Sequence, residues 1–152
     1  MSGARLVHGI DVERVEAAIR EAEGRTSGEI RVAVSRFYFW GDVRFAAQCA
    51  FARLHMERTR QRNGVLIFVA PRRRRFAIVA DTGVHAHAGD GSWQAIADLL
   101  GRQFRAGDLT GGLVQGIAAL GDCLAKHFPA DSKPDANELP DSVVVDGGGP
   151  IR

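Results

Sequence analysis

Cysteine is nearly absent from this sequence: Cys49 and Cys123 are the only two in 152 residues. They form no CxxC pair and sit beside no cluster with metal-ligand spacing, which argues against a disulfide scaffold or a zinc finger. Both fall in helix-like, partly apolar stretches and read as reduced core or boundary thiols of a reducing compartment. Long apolar runs are also missing. The longest extends only from Val65 to Ala70, far short of the roughly 20 residues that cross a bilayer. The stretch from Met1 to His8 has no apolar segment of signal-peptide length. The expectation is a cytoplasmic chain with no membrane span. Nor does one sign of charge dominate. A net charge of +2 gives no general polyanion-binding signal and makes nucleic acid an unfavoured partner. No DxDxDG spacing marks an EF-hand, and the DxDx(T/V), CX5R and RHG phosphatase signatures are absent.

What is present fits one globular domain. Apolar residues make up 45% and charged residues 25% of the chain, close to the soluble average. Residues 1–10 read as a flexible N-terminus. Asp11 can cap a first helix, in which Val12, Val15, Ile19 and Ala22 recur at helical spacing before Gly24. Residues 29–35 read as a strand. Ile30, Val32 and Val34 alternate with Glu29, Arg31 and Ser35, which predicts one wetter side and an edge or near-edge position. Phe37, Tyr38, Phe39 and Trp40 follow. Asp42 can cap a second helix, from Val43 to about residue 60, with Phe45, Ala46, Cys49, Ala50, Ala52 and Met56 on its buried side. After the Asn63-Gly64 turn comes a continuously apolar strand, residues 65–70, as expected for a central strand. The short connector holding Arg72, Arg73 and Arg74 leads to a second apolar strand at residues 76–80, predicting an antiparallel hairpin.

This second strand also reads as central, with Asp81 at its C-terminal end, where ligands of open α/β sheets bind, and Asp81-Thr82-Gly83 then opens a polar loop. Ser92 or Asp90 caps a third helix with the stripe Trp93, Ile96, Ala97, Leu100 and Phe104. Asp108 starts a fourth, in which Leu113, Ile117, Leu120 and Leu124 form the core face before Phe128-Pro129 ends it. Residues 130–152 are rich in Pro, Asp, Ser and Gly and read as an acidic mobile tail after a domain spanning 11–129. The element order α-β-α-β-β-α-α, with fully apolar strands, predicts a three-layer α/β/α sandwich around a mixed sheet.

Five stretches of this sequence resemble the TPM-domain family. They are Thr26-Ser27-Gly28-Glu29-Ile30-Arg31-Val32, Arg62-Asn63-Gly64-Val65-Leu66-Ile67, the run from Ile78 through Asp81 to Gly83, Phe104-Arg105-Ala106-Gly107-Asp108 with Gly111-Gly112-Leu113 and Gly116-Ile117, and Asn137-Glu138-Leu139-Pro140-Asp141. Their order and spacing run from about Asp11 to Asp141. The resemblance implies an α/β/α fold. It associates the chain with proteins described as acid phosphatases, as divalent-cation binders or as maintenance factors of membrane complexes. Many of these carry a signal peptide and a transmembrane helix, features not expected of this sequence.

Three carboxylates, Asp81, Asp90 and Asp108, lie in or beside loops. If they converge, they form an oxygen-rich site of the kind that holds Ca²⁺ or Mg²⁺. The plainer reading makes Asp90 and Asp108 helix caps and Asp81 a turn residue. A phosphatase would need Asp81 as nucleophile, a metal and a phosphate-binding helix N-terminus. His85 and His87 at i, i+2 offer two zinc-type ligands but no third. Cys123 and His127 at i, i+4 can meet on a helix, where structure is the simpler role. Arg72, Arg73, Arg74 and Arg75 are the densest charge in the chain. They are a candidate partner surface, together with Phe39 and Trp40, or else a solvated turn guarding a strand edge. The leading expectation is a binding module that contacts a protein partner and carries a loop cation site. A metal-dependent phosphatase and an adaptor for anionic partners are the alternatives.

Overall fold

Leu6–Val7 (β1) and Ile10–Asp11 (β2) pair as a short antiparallel hairpin and lead into α1, Val12–Glu23. Then follow β3 (Glu29–Ser35), α2 (Val43–Arg53) and β4 (Gly64–Ala70). After a single 3-10 turn at Pro71–Arg73 come β5 (Arg75–Ala80), the one-turn α3 (Thr82–His85), α4 (Ser92–Arg105), α5 (Leu109–His127) and β6 (Val143–Asp146). The computed structural model describes residues 6–35, 41–87, 92–130 and 143–146. The chain forms two compact units. One comprises Met1–Gly28 with His87–Pro134, the other Glu29–Ala86 with Asp135–Arg152.

The first unit joins the β1–β2 hairpin to α1, α4 and α5. Asp11 caps α1 by accepting from the Arg14 amide, and Val12, Val15, Ile19 and Ala22 are buried at the expected spacing. Leu113, Ile117, Leu120 and Leu124 form the buried stripe of α5, and Ile96, Leu100 and Phe104 that of α4. Close approach depends on glycines of α5. A Cβ on Gly116 would lie 2.9 Å from Leu100 Cδ2, and one on Gly121 would lie 2.8 Å from Ala22 Cβ. Buried Thr110 ties the hairpin to the start of α5, accepting from the Asp11 amide at 2.9 Å and donating to Gly9 O at 3.3 Å. At the other end of α5, the Thr26 hydroxyl and the Ser27 amide both donate to Phe128 O.

The second unit is built on a four-stranded mixed sheet ordered β5-β4-β3-β6. β3 runs parallel to β4, with Ile30 opposite Val65, and parallel to β6, with Val32 opposite Val143. β4 and β5 form the expected antiparallel hairpin, with Ile67 opposite Ile78. α2 packs on β4 and β5 through Val43, Ala47 and Ala50, against Ala33, Leu66, Phe68 and Ala77. The fold is thus mixed α/β with a mixed sheet, and the order α-β-α-β-β-α-α survives within the longer series of elements.

Six features differ from the sequence reading. The β1–β2 hairpin lies largely in the stretch read as a flexible N-terminus, and α3 in the stretch read as a polar loop. β3 has no wet side: Glu29, Arg31 and Ser35 are all buried, and β6 pairs along Val32 to Ser35, so that half of the strand is interior and not an edge. Arg31 donates to Leu54 O at 3.3 Å, so its cation meets the carbonyl end of α2, where a positive charge is favoured. α2 ends at Arg53, and its buried face is Val43, Ala47 and Ala50. Phe45 is 66% exposed. Small residues at i, i+4 and i+7 seat the helix on the sheet, and they leave Phe45 on the other side. β5 is an edge strand, not a central one. Finally, Val143–Asp146, within the acidic tail, forms β6.

Candidate functional site

The Asp81 corner is assembled from two sequence-distant turns. β5 is antiparallel to β4, and β3 runs parallel to β4, so the last residues of β5 lie at the amino-terminal end of both. Val65 faces Ala80, and the Asp81 amide donates to Gly64 O at 2.9 Å. Ligands of open α/β sheets bind beyond the carboxyl ends of the parallel strands, and Asp81 is at the opposite end. Its buried carboxylate accepts from Arg62 Nε at 2.8 Å and Arg62 Nη2 at 2.9 Å, a two-pronged fork. It also accepts from the Thr82 amide at 2.7 Å, capping α3. The Asp81 hydrogen bond and charge push the Arg62 guanidinium above its usual pKa.

Arg62 adopts a left-handed φ of 51°, an uncommon conformation for a residue with a side chain. Gly83 donates to Arg62 O at 2.9 Å, and a Cβ on Gly83 would come within 2.6 Å of that oxygen. The Asn63 amide donates to Thr59 Oγ1 at 3.1 Å, and the Asn63 carbonyl accepts from the Glu29 amide at 3.3 Å. The motifs Arg62-Asn63-Gly64 and Asp81-Thr82-Gly83 are therefore two halves of one joint. Both oxygens of Asp81 are engaged by donors of the protein itself.

Asp108 belongs to the other unit, where its Oδ1 accepts from the Gly111 amide at 2.9 Å and caps α5. Asp90 lies outside the described residues. Among the described residues, no group of three or more His, Cys, Asp or Glu side chains is placed to hold a metal ion. His85 ends α3. The His87 ring stacks flat on His127, with centroids 4.2 Å apart and planes 12° apart, and meets Phe128 edge-on. That parallel stacking keeps the in-plane nitrogen lone pairs of the two rings from converging on one metal. Cys49 and Cys123 are reduced thiols, both partly buried.

The arginine turn has a different character. Pro71–Arg73 winds one 3-10 turn, and Arg74 closes it with a left-handed φ of 54° and an amide that donates to Pro71 O at 3.0 Å. Arg72, Arg74 and Arg75 are exposed, and Arg73 is half-buried. Arg73 Nη1 donates to Gly41 O at 2.5 Å, tying the turn to the approach of α2. Just beyond, Asp42 caps α2 by accepting from the Arg44 amide at 2.9 Å. Arg44 and Phe45 then stand exposed on the first turn. Phe39 and Trp40 lie outside the described residues. Phe45 was hidden by its hydrophobicity. The signal that places it outside is the small-residue phase Val43, Ala47 and Ala50.

The pattern of joints and strands matches a family profile. The profile of the TPM domain covers residues 3–123. This chain belongs to the TPM domain family. The TPM chain is 35% identical to the BA42 protein from the psychrophilic bacterium Bizionia argentinensis, with a TM-score of 0.82 over 95% of this chain and 100% of that one. It also shares its fold with the N-terminal domain of cg2496 from Corynebacterium glutamicum, at 14% identity and a TM-score of 0.58, covering 91% of this chain and 80% of that one. No curated protein matches it. Among the described residues of this TPM domain, no helix is long and apolar enough to cross a membrane.

Proposed function

We propose that this TPM domain is a binding module that engages an anionic partner through its arginine turn. The observation that carries this reading is the exposure of Arg72, Arg74 and Arg75 on a turn that Arg73 pins to Gly41 O. A guanidinium presents a rigid fork of donors matched to carboxylate and phosphate oxygens. A pinned turn holds several such forks together without ordering a mobile loop at the moment of binding, which lowers the entropic cost of association. A cation site or a phosphatase built on Asp81 would both need that carboxylate to release Arg62 and Thr82, to which it is bonded at 2.7–2.9 Å.

The test is retention on immobilised heparin, used as a generic polyanion. The wild-type domain is expected to stay bound beyond about 0.15 M salt, where the Debye length is about 8 Å, and EDTA should not change its elution. Arg72→Glu/Arg75→Glu should elute with the unbound fraction while keeping the wild-type unfolding temperature. Elution of the double variant at the wild-type salt concentration would rule the reading out.

A further inference from the structure

The basic stretch extends beyond the turn and includes an exposed aromatic ring. Residues 43–53 and 71–75 hold Arg44, Arg53, Arg72, Arg73, Arg74 and Arg75, six of the chain's 20 basic residues and none of its 18 acidic ones. Of the flanking residues, Asp42 spends its carboxylate on the α2 cap. On the first turn of α2, next to Arg44, Phe45 leaves 66% of its surface in water. The Arg73–Gly41 bond keeps this helix start beside the arginine turn. An aromatic ring held in water among cations is costly unless something apolar receives it.

Resting on the arginine-turn reading, we infer that the anionic partner is the headgroup surface of a lipid bilayer, with Phe45 entering the interface while Arg44, Arg72, Arg74 and Arg75 lie on lipid phosphates. A bilayer offers both chemistries at one depth: phosphates for the guanidinium groups and, just beneath them, an apolar layer for the ring. Single-stranded nucleic acid also combines phosphate with stacking, but it is held by successive rings under successive bases. Around this turn the described residues expose one large apolar side chain, Phe45. A peripheral contact of this kind needs no membrane-spanning helix. Each arginine near an anionic surface strengthens binding roughly fivefold, and burial of the ring adds roughly tenfold or more.

The experiment is co-sedimentation of the full chain with phosphatidylcholine vesicles, with and without phosphatidylglycerol, run beside the heparin column. The wild type should pellet with the phosphatidylglycerol vesicles only, and less so as salt rises. Phe45→Ala should weaken that partition roughly tenfold and leave heparin retention unchanged. Phe45→Leu should restore most of it. Heparin retention without pelleting would overturn the bilayer assignment and leave the anionic-partner reading standing. Pelleting that Phe45→Ala does not weaken would overturn the role of the ring. Tight binding to a single-stranded oligonucleotide, lost in Phe45→Ala and without pelleting, would reassign the surface to nucleic acid. Pelleting by a chain that heparin does not retain would overturn the arginine-turn reading itself.

Discussion

At the scale of single residues, the same side chain means different things depending on what already satisfies it. Asp81 looks catalytic in the sequence because it follows an apolar strand and precedes Thr-Gly. In the fold its carboxylate is a structural acceptor for Arg62 and for the Thr82 amide. A buried carboxylate is tolerated only when it is paired and fully hydrogen-bonded, and this one is. The fork also holds Arg62 in its left-handed conformation, so the two residues should behave as a unit. We expect Asp81→Asn and Arg62→Ala each to lower the thermal midpoint, and the double variant to lower it little beyond either single. Thermal unfolding of the four proteins forms a double-mutant cycle. Additive losses would mean that the fork contributes no coupling, and that Asp81 is available for other chemistry.

At the scale of elements, the glycines of α5 separate helix propensity from packing. Gly to Ala inside an exposed helix stabilises by about 1 kcal/mol. At Gly121 the added methyl would meet Ala22 Cβ at 2.8 Å and Ala22 Cα at 3.3 Å, so α1 itself would have to move. At Gly116 the obstacle is the far end of Leu100, which has rotamers to use. Gly121→Ala should therefore cost about 2 kcal/mol net through overpacking, and Gly116→Ala clearly less. Denaturant unfolding of the two variants decides between them, and a stabilised Gly121→Ala would refute the close α1–α5 contact. Gly116 is among the residues by which the chain resembles its family, and Gly121 is not. Their role is visible only in the helix pairs, because spacing alone does not say which partner approaches.

At the scale of the whole molecule, what was legible follows from how local the determining physics is. Helices α1 and α5 and the β4–β5 hairpin were readable because each has a strong period, or a continuous apolar run bounded by turn residues. The caps at Asp11, Asp42 and Asp108 were readable for the same reason. The phase of α2 was not, since apolar residues lie on most of its faces and the choice between Phe45 and Ala47 is made by the sheet. The convergence of Arg62 with Asp81 was not either, because pairing across 19 positions carries no periodic signature. Least legible was β6. Val143-Val144-Val145 is a β-branched run, but its surroundings of Pro, Asp and Gly read as tail. Once paired, β6 converts β3 from an edge into an interior strand along Val32 to Ser35. Deletion of residues 143–152 should undo that. In a strand flanked by parallel neighbours, successive residues bond alternately to either side. The truncated chain should therefore lose hydrogen-exchange protection at alternate amides along Val32 to Ser35, while Ile67 and Ile78 in the β4–β5 pair keep theirs. The bared edge, Val32-Ala33-Val34-Ser35, would be mostly apolar, the kind that templates intermolecular pairing. Size-exclusion chromatography should show concentration-dependent association of the truncated chain and a monodisperse peak for the full one. Unchanged protection at all four amides would mean that β3 does not depend on β6 for its interior character.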